Sequence, residues 1–244
     1  MIKFGTDGWR ALMDTDFTME NVEKVAQAYA DHLVETVAAP NKHAARVVVG
    51  YDFRKNSEDF AARFADVLAA NGVEVALSDC ACPTPAVSFT IVRGKYDGGV
   101  AVTASHNPPG YNGIKLKTDF GGSAEKNITD AVERRLGKNP VRRSPDGQPL
   151  PKTQNLIGPY LDFLKSYLKL DVLRAAPYGI LVDSMHGVGA KNIEQILSGG
   201  KIGIETIRGE RDVTYGGYAP EPIPKNLVPS IEKMNRHLLR GSNV

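Results

Sequence analysis

The stretch Gly98-Gly99-Val100-Ala101-Val102-Thr103-Ala104-Ser105-His106-Asn107-Pro108-Pro109-Gly110-Tyr111-Asn112-Gly113-Ile114-Lys115 decides the fold. Residues 98–102 form a short apolar run, the pattern of a strand. Two prolines and a glycine then break the chain into a turn, and residues 113–117 return as a second strand. Upstream, residues 46–51 (RVVVGY) are short and β-branched, which predicts a buried strand. Residues 73–77 predict another.

Helical patterns alternate with these strands. Residues 19–37 place Met19, Val22, Val25, Tyr29, Leu33 and Val37 at spacings of three and four, with Thr18 as N-cap. Ser57 is expected to cap a helix that carries Phe60, Phe64, Val67 and Leu68 on one face and stops at Gly72. Thr84-Pro85 opens a helix with Val87, Ile91 and Val92 as its buried stripe. Ser123 is expected to cap a helix through Ile128, Val132 and Leu136, closed by Gly137. Strands that alternate with helices predict an α/β domain with a largely parallel sheet.

Residues 138–153 hold Pro140, Pro145, Pro149 and Pro151, which cannot propagate a helix or a central strand. A linker is therefore expected over 141–155, between domains at 1–140 and 156–244. The second domain reads as helix (Leu161, Leu164, Leu168), strand 179–182, glycine loop, helix 190–197, strand 202–207, long loop 209–224 and a last helix 229–239, with a frayed end at 241–244.

The chain has 244 residues, long enough for two average domains. Its 30 Lys+Arg against 28 Asp+Glu lack the basic excess of a dedicated nucleic-acid binder. Hydrophobic residues make up 42%, which supports real cores. No apolar run approaches the ~20 residues of a membrane helix, and residues 1–5 lack a signal-peptide pattern. Cys80 and Cys82 are too few for a disulfide framework. The expectation is a soluble cytoplasmic protein with no nucleic-acid or membrane partner.

Ser105 follows a strand directly, where α/β sheets bind ligands, and the prolines stiffen its turn. Acyl transfer by this serine lacks its Gly-x-Ser-x-Gly elbow. A phosphoryl group on the serine would want cations and backbone N–H donors around it, and the neighbours suit that better. A plain polar turn between strands is the competing reading. Asp52 with Arg54 reads as a structural ion pair, and His186-Gly187-Val188-Gly189 as a tight strand-to-helix turn.

Thr103-Ala104-Ser105-His106-Asn107-Pro108-Pro109, with Asn112-Gly113-Ile114-Lys115, resembles the active-site signature of the α-D-phosphohexomutase superfamily. Phe4-Gly5-Thr6-Asp7-Gly8-Trp9-Arg10 resembles its opening loop, in matching order and spacing. So does Gly50-Tyr51-Asp52-Phe53-Arg54-Lys55-Asn56-Ser57. Cys82-Pro83-Thr84-Pro85-Ala86, the loop 183–189 and Pro220-Glu221-Pro222 are similar to further family segments.

The resemblance implies two tandem three-layer α/β/α domains with mostly parallel, mixed sheets. It implies an intramolecular phosphotransferase that interconverts hexose 1-phosphate and hexose 6-phosphate. Ser105 would carry the phosphoryl group, and hexose 1,6-bisphosphate would be the intermediate and activator. Ser105 would also meet Mg²⁺ through its phosphate. Arg10 would add positive charge, Lys115 would transfer a proton and His106 would help position substrate or move protons. Thr6 and Asn107 would bind phosphate or substrate. A basic Lys115 would need a lowered pKa, which neighbouring cations could supply.

The sequence also departs from the family. Its metal loop, Asp-Gly-Asp-x-Asp-Arg, is absent from these 244 residues. The third-domain specificity loop and the fourth-domain phosphate clamp are absent as well. A truncated phosphohexomutase with little activity alone is the expectation. Self-association through faces exposed by truncation accompanies it. The alternative is a non-catalytic binding or interaction module that keeps the fold.

Overall fold

A computed structural model of the chain describes residues 2–145 and 151–239. Its contacts group into two units. Unit 1 holds Met1–Ala104 and Gly110–Leu156; unit 2 holds Ser105–Pro109 and Ile157–Val244.

Unit 1 is built on a six-stranded sheet in the order β1-β5-β4-β2-β3-β6. The strands are β1 (Trp9–Leu12), β2 (Arg46–Tyr51), β3 (Glu74–Ser78), β4 (Gly98–Val102), β5 (Tyr111–Thr118) and β6 (Thr153–Gln154). β2 pairs parallel with β3 and β4, and β3 with β6. β5 is antiparallel to both β4 and β1, so the sheet is mixed. The RVVVGY strand has the bounds its sequence predicts because five of its six residues are buried. The return strand starts two residues earlier than expected, since Tyr111 and Asn112 already pair with Leu12 and Ala11.

The helices are α1 (Met19–Leu33), α2 (Ala39–Asn41), α3 (Ser57–Ala70), α4 (Thr84–Gly94) and α5 (Lys126–Arg135). α1 leads into α2 through a π turn at Val34–Ala38. Thr18 caps α1 as expected, its hydroxyl accepting from the Asn21 amide at 3.3 Å. Val47, Val49, Val100, Val102, Ile114 and Leu116 share a core with Val22, Val25, Phe60, Phe64 and Val132. α4 packs against β2 and β4 and comes close to the sheet backbone at Gly99, where an added Cβ would lie 2.5 Å from Ile91 Cδ1. The result is a three-layer α/β/α arrangement.

Three local expectations are corrected. Val92 is 51% exposed, since the buried stripe of α4 runs through Ala86, Val87, Thr90 and Ile91. Asn56, in a left-handed conformation, precedes α3 in place of the expected Ser57 cap. The hydroxyl of Ser57 donates instead to Asp52 Oδ1 at 2.8 Å. Ser123 lies before α5, whose N-cap is Glu125, and its hydroxyl donates to Asp7 Oδ1 at 3.1 Å.

Unit 2 contains α6 (Ile157–Tyr167), α7 (Leu170–Ala175), β7 (Gly179–Asp183), α8 (Asn192–Leu197), β8 (Gly203–Ile207) and α9 (Val228–Leu239). β7 and β8 form a parallel pair. α8 is shorter than expected because Ala190 has a φ of 39°, outside the helical range. The expected frayed end at 241–244 lies outside the described residues. Among the described residues, no helix is long and apolar enough to cross a membrane.

Candidate active site

β4 ends at Val102, the buried residues Thr103 and Ala104 follow, and the chain then reaches Ser105 and His106, both exposed. Ser105 has a φ of 56°, a left-handed conformation uncommon outside glycine. Strained residues of this kind cluster at functional positions. Asn107 is half-buried. On the unit 1 side, the chain is pinned before and after these residues. The Thr103 amide donates to the Gly113 carbonyl at 2.9 Å, and the Met13 amide to the Gly110 carbonyl at 2.8 Å.

Beneath those two anchors lies a buried polar network within unit 1. Arg54 is fully buried; its Nη1 donates to the Tyr111 carbonyl at 3.0 Å and its Nε lies 3.4 Å from Asp52 Oδ2. Asp52 Oδ1 accepts from the Arg54 amide and the Ser57 hydroxyl, and the Thr103 side chain also hydrogen-bonds Asp52. Asn112 Nδ2 donates to Ser57 Oγ at 2.9 Å, while its Oδ1 accepts from the Gly113 amide. Asp52 and Arg54 thus form the ion pair expected, and it reaches further than the two residues. The pair braces Thr103 on one strand end and Tyr111–Gly113 on the other.

A second cluster joins the opening loop to β5. Arg10 faces Gly113 across the β1–β5 ladder, so Arg10, Lys115 and Lys117 lie on one face by strand alternation. Lys115 Nζ donates to Asp7 Oδ2 at 2.5 Å, and Arg10 Nη2 to the same oxygen at 3.2 Å. Burial alone would raise the Asp7 pKa. Hydrogen bonds and charge from Lys115, the Ser123 hydroxyl and Arg10 outweigh it and hold the carboxyl below its usual range. Lys117 is buried with Nζ on the Gly121 carbonyl at 3.1 Å. Burial pushes its pKa down, assisted by the Lys115 charge. The cations expected near Lys115 are present as Arg10 and Lys117, and a carboxylate, Asp7, also meets its amine directly.

Thr6 is exposed in the turn closed by the Gly5 amide on the Gly8 carbonyl at 2.9 Å. Arg10 and Lys115 are thus brought together by Asp7, whereas Thr6 extends to solvent. Sequence reading missed Asp7, Ser123 and Lys117. The available signals were the acidic residue inside the Phe4–Arg10 motif and the alternation of 113, 115 and 117.

Unit 2 has its own polar centre at the ends of β7 and β8. Arg208 grips Asp183 with two nitrogens, Nε at 2.8 Å, and Ser230 donates to the same carboxylate. His186 is buried, with Nδ1 3.1 Å from the Glu210 carbonyl oxygen. Burial raises the Asp183 pKa, but Arg208, Ser230 and the Met185 amide lower it further, leaving it depressed. A depressed folded pKa gives stability that is full above the unfolded value of ~3.9 and lost as pH falls through the folded value. Thermal melts of the chain should therefore fall in Tm below about pH 4, and Asp183→Asn should flatten that part of the profile. An unchanged acid limb in the variant would refute the assignment.

Mg²⁺ keeps several waters and is usually held by one or two carboxylates together with phosphate oxygens. Among the described residues, no three His, Cys, Asp or Glu side chains converge to hold a metal. Asp7 and Asp52 are each committed to cations.

This geometry sits in a chain that matches the family described as phosphoglucomutase/phosphomannomutase, alpha/beta/alpha domain I, over residues 1–142. The chain belongs to that family, within the α-D-phosphohexomutase superfamily. It is 28% identical over 232 residues to a phosphoglucosamine/phosphogalactosamine mutase of Sulfurisphaera tokodaii, covering 94% of this chain and 49% of that protein. It is 34% identical over 206 residues to a phosphoglucosamine mutase of Frankia casuarinae, covering 80% and 43%. The crystal structure of a phosphomannomutase-type protein from Thermus thermophilus superposes with a TM-score of 0.84 at 35% identity, covering 95% of this chain and 51% of that one. The chain spans about half the length of the relatives it matches.

Proposed function

We propose that this chain carries the phosphoserine half of a hexose-phosphate mutase reaction. The observation behind the reading is an exposed Ser105 with a left-handed backbone, inside a family-matching motif whose two anchors are braced by a buried network. In the step assigned to it, Ser105 Oγ attacks a phosphorus of hexose 1,6-bisphosphate. The new Oγ–P bond forms as the sugar O–P bond breaks. The serine proton passes to a base, for which Lys115 is the candidate as the neutral amine left once its own proton has gone to solvent. The same Lys115 then hands that proton to the departing sugar oxygen, giving a hexose monophosphate, and the reverse step phosphorylates the other hydroxyl. Arg10 stabilises charge on the moving phosphoryl group, while His106, Asn107 and Thr6 contact the sugar phosphate.

Complete interconversion by this chain alone is expected to be slow. The carboxylates that would hold a dication in the reaction do not converge among the described residues.

The test is intact-mass spectrometry after incubation with hexose 1,6-bisphosphate. The wild-type chain should gain one phosphoryl group, and Ser105→Ala should gain none. A gain that persists in Ser105→Ala, or no gain in the wild type, overturns the reading. The second outcome favours a binding module that keeps the fold without the chemistry.

A further inference from the structure

We propose that Asp7 is a resident counter-anion, a positioning residue that holds Lys115 and Arg10 together in the free site and yields both to a phosphate monoester. This deepens the mutase reading and rests on it. Three cations, Arg10, Lys115 and Lys117, project from one face of the β1–β5 pair, with Asp7 as the carboxylate among them.

The donors on Asp7 are arranged as a phosphate would take them. Two cations share Oδ2, at 2.5 and 3.2 Å, and a neutral hydroxyl from Ser123 meets Oδ1 at 3.1 Å. Ionised oxygens facing Arg and Lys make the strong, short class of hydrogen bond that phosphate also makes. The carboxylate thus fills part of an oxyanion's donor shell.

Exposure says which member can leave. The Asp7 side chain is 39% exposed, against 25% for Arg10 and 13% for Lys115. Asp7 can turn outward into water, whereas Lys115 is held in the sheet surface. The release of Asp7 does two things at once. It frees the Lys115 amine and the Arg10 guanidinium as donors, and it removes the negative charge that would repel the ligand.

The test is binding of inorganic phosphate to the full chain, by calorimetry at low ionic strength, where exposed charges are least screened. Asp7→Asn should bind phosphate about two- to fivefold more tightly, the scale of a half-exposed ion pair. Asp7→Glu should return to wild-type affinity. Asp14→Asn, an exposed carboxylate in the turn after β1, changes net charge equally and should leave affinity unaltered. Adding Lys115→Met to Asp7→Asn should remove the gain. Affinity in Asp7→Asn at or below the wild-type value overturns the proposal.

A second measurement needs no variant. Phosphate should slow reductive methylation of wild-type Lys115 relative to Lys126, whose side chain is 85% exposed, as read by peptide mass mapping. Absence of that protection also overturns it. A free phosphate and a seryl phosphate share the monoester group, and pre-treatment with hexose 1,6-bisphosphate separates them. Loss of phosphate binding after Ser105 is phosphorylated identifies the seryl group as the occupant, and retention identifies a free monoester. A chain in which Asp7→Asn gains affinity while Ser105 takes no phosphoryl group keeps Asp7's role and defeats the mutase reading. The converse pair of results defeats only Asp7's role.

Discussion

Arg54→Met should destabilise unit 1 by about 3–5 kcal/mol, the usual consequence of removing one partner from a buried pair. The guanidinium is fully buried, with Nη1 on the Tyr111 carbonyl and Nε facing Asp52. Methionine fills much of the volume but leaves the Asp52 carboxylate without its cation and the Tyr111 carbonyl without its donor. The Ser57 hydroxyl and the residue-54 amide still reach Asp52, but neutral donors do not replace a charge in a dry site. Urea unfolding followed by circular dichroism reads the loss.

The double variant Asp52→Asn/Arg54→Met should recover a substantial part of that loss, since no uncompensated charge remains. A double variant as unstable as the sum of the two singles would refute the pairing and reduce Arg54 to a packing residue. A second readout reports the link to function. Because the network braces Thr103 and Tyr111 at the two anchors of the serine turn, the folded double variant should take up phosphate on Ser105 more slowly than the wild type.

Much of this fold was legible because burial and periodicity agreed. The RVVVGY run is β-branched and has polar, turn-forming flanks, so only a buried strand satisfies it, and β2 has those bounds. The same holds for α1, whose apolar spacing and Thr18 cap point to one start. Ser57 and Ser123 were misread for one physical reason. Each looks like a local helix cap, but a distant acceptor captures its hydroxyl, Asp52 for Ser57 and Asp7 for Ser123. Asp52 is buried, so leaving it unmet costs more than leaving a cap unmade, while the half-exposed Asp7 takes the Ser123 hydroxyl because a bond to an ionised oxygen is the stronger one. The Lys115 environment was hidden similarly. Asp7 and Lys115 are separated by more than a hundred residues, and only the β1–β5 register brings them together.

Gly8→Ala should destabilise unit 1 strongly, and a comparison with Gly72→Ala separates the two causes. Both glycines have positive φ, 97° at Gly8 and 80° at Gly72. At Gly72 an added Cβ meets nothing within 4 Å, so alanine there pays only for the left-handed backbone, about 1–2 kcal/mol. At Gly8 the Cβ would lie 2.4 Å from the Ile114 carbonyl oxygen and 3.1 Å from Lys115 Cα. The backbone of β5, paired with β1 on one side and β4 on the other, cannot yield as a flexible side chain would, so a further 1–3 kcal/mol or so is expected from overpacking. The displacement also has a direction. Gly8 lies between Asp7 and Arg10, directly over the strand that carries Lys115, so pushing them apart lengthens the Asp7–Lys115 contact. Gly8→Ala should therefore lose the phosphate protection of Lys115 against methylation even in the fraction that stays folded, whereas Gly72→Ala should keep it. Equal destabilisation by the two substitutions, with protection intact in both, would mean that the opening loop is not tied to β5 at this point.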